Sequence, residues 1–342
     1  MSNTQQKYEP GTHPDLPPPF ASSGPIKWVR ENLFSSPANI VMTLLAAYFL
    51  YLILPDAYAW AFGDATFIAE DRNECRALNS GACWAFIAKR WGLFTFGFYP
   101  EDERWRVVLA FVLLIVVVVA LLWERCPGRK QLIIFACIYP FIAYWLLVGG
   151  FGLQKVSTDQ FGGFMLTIII GVTGIALSLP IGILLALGRQ SNLPIIKYTC
   201  VAFIEFFRGV PLITILFVAS TMLSYFLPPG SNFNMLLRVL IMVTLFSSAY
   251  MAEVIRGGLQ ALPKGQTEAA DAMGLKYWPS MWLIVLPQAL KISIPGIVNT
   301  FIGLYKDTTL VIVIGLLDPL GIGQASLADT KWQGLSLSLI HI

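Results

Sequence analysis

Charge is scarce in this chain. Only 13% of its 342 residues are Asp, Glu, Lys or Arg, against 56% hydrophobic. The mean hydropathy of +0.68 is far above that of a soluble domain of this size. A formal net charge of +3 is too small a basic surplus to point to nucleic acid. Histidine is almost missing: His13 and His341 are the two in the chain, and neither falls in an apolar run, which excludes bis-histidine haem ligation inside a membrane. The five cysteines form no Cys/His cluster with metal spacing, so no metal is expected. There is no G-x-x-x-x-G-K-[ST] phosphate loop, which excludes ATP binding of that kind. No nucleophile has an adjacent base, so no catalytic site is expected. Strand-like alternation is absent as well, which argues against a membrane barrel.

What is abundant is apolar length. A hydrocarbon core about 30 Å thick needs about 20 predominantly apolar residues per crossing helix. Runs at 38–55, 107–123, 131–149, 163–188, 197–227, 234–255 and 281–304 meet or approach that length. The run from Val107 to Trp123 carries no polar side chain except the final indole. Val- and Ile-rich stretches are poor helix formers in water, but in lipid the backbone must satisfy itself, which restores the helical reading. The expected fold is an all-α integral membrane protein, a multi-span helical bundle.

Residues 1–37 are polar and proline-rich, with Pro17-Pro18-Pro19 at their middle, and read as a disordered tail. The first apolar run begins too late and is too long for a cleavable signal, so it is expected to remain as an anchor. Lys and Arg in the short loops, among them Arg125, Arg129, Lys130, Arg189, Lys197, Lys264 and Lys276, place the tail in the cytoplasm. Six basic residues in the long loop 56–106 weaken that bias. The loop also carries Cys75 and Cys83. In an oxidising compartment a disulfide between them is feasible; two free thiols are the alternative. The aromatic segment Trp84 to Phe98, with Lys89 and Arg90, suits a position at the membrane surface.

Between the last two apolar runs lies Thr267-Glu268-Ala269-Ala270-Asp271-Ala272-Met273-Gly274. Thr267 can cap a helix, Glu268 and Asp271 suit its positive end, and Gly274 before Leu275 is a stop. A helix of two turns is marginal by itself and draws stability from a docking surface. Its alanines leave a smooth face for a groove.

The order Glu268-Ala269-Ala270, three residues, Gly274, nine residues, Ile284-x-Leu286-Pro287 resembles the EAA signature of ABC importer permeases and matches it at each position. Three further stretches, Phe203 to Leu212, Ala249 to Gly258 and Leu304 to Leu310, look like motifs of the polar amino-acid group. The longer N-terminal region is similar to the general L-amino-acid branch. This resemblance implies a permease core over 151–334 with a coupling loop over about 256–280. Ahead of it come an accessory region over 38–150 with three spans and a periplasmic loop. Glu268, Ala269, Ala270, Gly274, Ile284, Leu286 and Pro287 would couple to separate ABC ATPase subunits. A second homologous permease and a periplasmic amino-acid-binding protein are implied as partners. The chain would be a bacterial inner-membrane transport subunit that binds no cofactor, with ATP used by the partner. The family core ends in a further helix, whereas Gly334 to Ile342 would make only about 14 Å of helix. The last family helix is therefore expected to be missing, and residues 335–342 to be non-native.

Ionisable residues inside a membrane are functional candidates. Glu205 and Arg208, and likewise Glu253 and Arg256, stand three apart and can pair on one helix face. They either shape the substrate pathway or form structural pairs near helix ends that snorkel to water. Lys306 and Asp307 stand where a zwitterionic amino acid would need partners, or at a solvated helix end. Pro287 is expected to fix where the last run begins or bends. An ion-coupled secondary amino-acid transporter is the alternative; it would show paired halves with interrupted helices, and no internal repeat is visible.

Overall fold

A computed structural model describes residues 24–78, 81–123, 126, 128–222, 225 and 234–332. The chain divides into two compact units, Met1–Ala85 and Phe86–Ile342.

In the first unit, helix α1 (Gly24–Leu33) stands where the tail was expected to be disordered. That expectation is corrected for these residues, and 1–23 lie outside those described. The periodic apolar positions Ile26, Val29 and Leu33 supply the helical pattern. Helix α2 (Pro37–Tyr58) starts at Ser36, whose Oγ accepts from the Asn39 amide at 3.2 Å, with Pro37 in the first turn, where no amide hydrogen is needed. A π-helical turn, Ala59–Gly63, continues it. Helix α3 (Arg72–Leu78) follows, and Cys75 and Cys83 are joined by a disulfide with Cα atoms 5.9 Å apart. Helix α4 (Trp84–Lys89) contains the division between the units.

The second unit opens with the end of α4, from Phe86, and continues into α5 (Trp91–Phe96), so the expected surface segment forms two short helices. Helices α6 (Arg104–Leu122) and α7 (Arg129–Val148) form a hairpin. At its mouth Arg106 is fully buried. Its Nε lies 2.9 Å from Glu103, its Nη1 donates to the Gln154 carbonyl at 3.0 Å, and its guanidinium stands over Tyr99. Tyr99 in turn donates to the Leu147 carbonyl at 2.9 Å. A buried arginine that is paired and hydrogen-bonded fixes its surroundings, because removing any partner strands a charge.

Helix α8 (Gly163–Arg189) places Gly174, Ser178, Gly182 and Ala186 at every fourth position, the small-residue seam by which membrane helices approach closely. Its partner is α11 (Met235–Gln260). A Cβ on Gly174 would lie 3.2 Å from Val243, and one on Gly182 would lie 2.7 Å from Met251. Residue order rises together along the seam, so the two helices are parallel.

Between them the expected span 197–227 is broken. Helix α9 (Pro194–Gly209) and helix α10 (Leu212–Thr221) meet at 98°. The cause is local: the ring of Pro211 disfavours helical geometry at Val210, which sits at ψ 130°. Residues 223–224 and 226–227 of that run lie outside those described.

After α11 come α12 (Gly265–Ala272) and the single turn α13 (Tyr277–Ser280). A π-helical turn Met281–Val285, α14 (Leu286–Asp307) and a 3-10 turn Thr308–Ile314 complete a continuous apolar stretch. Helix α15 (Pro319–Leu327) is capped by Asp318, whose Oδ1 accepts from the Gly321 amide at 2.8 Å. Burial pushes the Asp318 carboxyl above the usual range. Among the described residues six helical segments are long and apolar enough to cross a membrane: Pro37–Gly63, Glu101–Leu122, Arg129–Val148, Gly163–Arg189, Met235–Gln260 and Tyr277–Ile314. The bent pair makes a seventh if it counts as one span. The expected loss of the final family helix, and the non-native 335–342, fall on residues outside those described.

Candidate coupling and translocation site

Two apolar clusters hold the second unit together. One gathers Met165, Leu166, Ile170, Leu216, Val239 and Val311; the other gathers Leu187, Ile204, Met251, Ile255, Val285 and Leu286. The second cluster adjoins the loop with the Glu268 motif, because Val285 and Leu286 follow that loop directly.

Helix α12 begins at Gly265, three residues earlier than a cap at Thr267 would give. Lys264 stands at the cap position without a side-chain bond, and Thr267 lies inside the first turn, which corrects its reading as the cap. The end is as the residues dictate. Gly274 has φ 73°, the left-handed conformation that glycine adopts without steric penalty. The Leu275 amide donates to the Ala270 carbonyl at 3.1 Å and the Gly274 amide to Asp271 at 2.9 Å. This pair of bonds is the Schellman stop.

Helix α12 packs on the π-helical turn Met281–Val285, so the two halves of the motif touch. Ala270 is buried, which corrects the picture of all alanines facing outward; Glu268, Ala269, Ala272 and Met273 are exposed. Gln288 Nε2 donates to Gln266 Oε1 at 3.0 Å and ties α14 to α12. Ile284 is half-buried, Leu286 is buried and Pro287 is exposed. Pro287 sits in the first turn of α14 directly after the π-helical turn. Proline offers no amide to the carbonyl four residues back and crowds it, and the wider turn accommodates both. Pro295, inside α14, does not end it.

The charged residues assemble differently from the expected pairs. Glu205 does not pair with Arg208; Arg189 Nη1 lies 2.9 Å from Glu205 and 3.4 Å from Glu253. Arg208 lies 3.7 Å from Glu253. The expected pair Glu253 and Arg256 is present, with Arg256 Nε donating at 3.0 Å. Glu253 therefore faces three guanidinium groups, from α8, α9 and α11. Intrahelical spacing misses this arrangement because α9 turns away at Pro211 and presents its last turn to two other helices. Arg189 was the missed member. Its signal was its place as the last residue of a long apolar helix, where a cation suits the negative end.

Lys306 and Asp307 end α14, the one exposed and the other half-buried. They lie about 30 Å along the helix from Pro287, so the structure does not bring them to the charge cluster.

Helices of bilayer length, with the short helix α12 packed on the turn that leads into one of them, define a multi-span integral membrane protein. The family model of the binding-protein-dependent transport system inner membrane component matches residues 178–341. An inner membrane amino-acid ABC transporter permease of Escherichia coli, YhdY, is 49% identical over 327 residues, covering 95% of this chain and 89% of that protein. The glutamate/glutamine/aspartate/asparagine transport system permease BztC of Rhodobacter capsulatus is 45% identical, covering 93% of this chain and 88% of that protein. A crystal structure of an amino acid ABC transporter with histidines superposes at TM-score 0.46 and 29% identity, over 52% of this chain and 81% of that one. The chain belongs to the amino-acid ABC transporter permease family and is a multi-pass inner-membrane transport subunit. Family membership implies an ATPase and a second permease as partners.

Proposed function

We propose that this chain conducts polar amino acids through an ATP-driven importer and receives the work of ATP hydrolysis through α12. The observation that carries this reading is the contact of α12 with the π-helical turn at the root of α14. A push on the exposed side of α12, Glu268, Ala269, Ala272 and Met273, passes through its contact with the π-helical turn into a membrane-crossing helix whose start is set by Leu286-Pro287. Alternating access then follows from different affinities of α12 for the ATP-bound and ATP-free partner. The chain itself binds no cofactor; ATP is used by the partner subunits. On this reading the N-terminus and α12 are cytoplasmic. A periplasmic binding protein delivers the amino acid, and the acidic and amide amino acids named for the Rhodobacter relative set the expectation for cargo.

In the same reading Glu253, with Arg189, Glu205, Arg208 and Arg256, braces the cytoplasmic ends of α8, α9 and α11 beside the pathway. Lys306 and Asp307 stand at its other mouth. The test is reconstitution in liposomes with the ATPase, the second permease and the binding protein. Uptake of glutamate or glutamine that requires ATP and is lost without the binding protein is expected. Uptake by the chain alone on an ion gradient overturns the proposal.

A further inference from the structure

Helix α1 has no buried residue, yet its aliphatic side chains share one face. Ile26, Val29 and Leu33 recur at three- and four-residue spacing, and Ile26 is 49% and Phe34 is 44% exposed. Pro25, Ile26, Val29, Arg30 and Phe34 line a shallow depression, apolar except for the guanidinium at its rim. Lys27 and Glu31 pair with each other at 3.8 Å. Arg30 forms no ion pair among the described residues.

The position of this face is fixed by α2. Three residues separate the two helices, and three hydrogen bonds hold the junction. Thr43 Oγ1 donates to the Leu33 carbonyl at 2.8 Å, Asn39 Nδ2 donates to Ser35 Oγ at 2.7 Å, and the Asn39 amide donates to Ser36 Oγ at 3.2 Å. Since α2 belongs to a membrane-length segment and only three residues join it to α1, the C-terminal end of α1 lies at the headgroup layer at that end of α2. An apolar face there, with a basic residue at its edge, has the composition of an interfacial helix.

We propose that α1 is a phospholipid-binding element. Its depression takes the first methylenes of an acyl chain, and Arg30 takes the phosphate of the same lipid by charge-assisted hydrogen bonds. The occupant is a lipid of the leaflet at the N-terminal end of α2, whichever compartment that leaflet faces. The helix thereby sets the height of α2, which buries none of its own residues.

The test uses the full chain in nanodiscs of phosphatidylglycerol and phosphatidylethanolamine, with Cys126→Ser, Cys137→Ser and Cys200→Ser and the Cys75–Cys83 bridge kept. A nitroxide is attached through Val29→Cys or Glu31→Cys. The label at 29 is expected to be relaxed more by oxygen than by a water-soluble nickel chelate, and the label at 31 the reverse. In native mass spectrometry Arg30→Gln is expected to lower retained phosphatidylglycerol about five-fold, with Arg30→Lys in between. Equal access of nickel to both positions overturns the proposal. A label at 29 shielded from both reagents also overturns it, because a protein then covers the face. Unchanged lipid retention in Arg30→Gln overturns the phosphate contact.

Discussion

Arg189 Nη1 and Glu205 Oε1 are 2.9 Å apart, which ties the last residue of α8 to the last turn of α9. The same guanidinium reaches Glu253 on α11 at 3.4 Å. One side chain thus fastens three helices that the backbone leaves free to diverge after Pro211. Arg256, by contrast, bonds Glu253 and Gln260 of its own helix.

Removal of these two arginines should therefore differ in cost. Arg256→Ala loses a pair at i,i+3 spacing, worth about 0.3–0.5 kcal/mol when exposed and somewhat more here. Arg189→Ala removes a cross-helix pair with a quarter of its surface exposed. Its cost should be on the order of 1–3 kcal/mol, below that of breaking a fully buried pair. Thermal unfolding in detergent should show the larger drop in midpoint for Arg189→Ala. Equal drops would mean that the cross-helix contacts contribute nothing.

The orientation of α12 makes a geometric prediction about the ATPase contact. Met273 is 73% exposed while Ala270 is 1% exposed. A cysteine in place of Met273 should crosslink readily to the partner ATPase through a short bifunctional reagent. One in place of Ala270, whose side chain is buried, should crosslink weakly. Efficient crosslinking at 270 with none at 273 would reverse the assigned face.

Gly274 has open space around its missing side chain, so a methyl group meets no neighbour and only backbone strain is added. Gly274→Ala should cost about 1 kcal/mol locally while leaving insertion intact. Because the strained residue ends α12, the proposed coupling role puts the effect in energy transfer, as ATP turnover stimulated less by binding protein and cargo. Normal stimulation, with normal uptake, would show that the stop is not needed for energy transfer.

Much of this architecture was legible in the residues, since apolar length in lipid leaves the backbone few choices. The stop at Gly274 was legible because a single glycine before leucine dictates it. The break at Val210-Pro211 was overlooked because apolar residues resume after it and the whole run reads as one span; the signals were the proline and the charged turn before it. The inward turn of Ala270 and the sharing of Glu253 by three arginines depend on how separate helices meet. No spacing along one chain encodes that. Helix α1 was hidden by its neighbours, the polar and proline-rich residues before it, although Ile26, Val29 and Leu33 already carried its period.

Asp329 offers a prediction in pH. Its carboxylate accepts from the Lys331 amide at 3.0 Å and pairs with Arg90, whose Nη1 also donates to Ser326 Oγ at 3.3 Å. The amide, followed by the guanidinium, holds the Asp329 carboxyl below the usual range. A depressed carboxyl binds fewer protons in the folded state than in the unfolded state. Its contribution is therefore fully present above the ordinary aspartate value of about 3.9 and is lost as pH falls through the lower folded value. Asp329→Asn should lower the unfolding midpoint at pH 7, and the difference from the parent chain should shrink as pH falls below about 4. The Phe86 and Trp332 rings, 5.5 Å apart, should keep the two segments together in both proteins, so the loss should be a shift and not a collapse. A difference that stays constant down to pH 3, or that widens there, would show that the charge on Asp329 does not hold this contact.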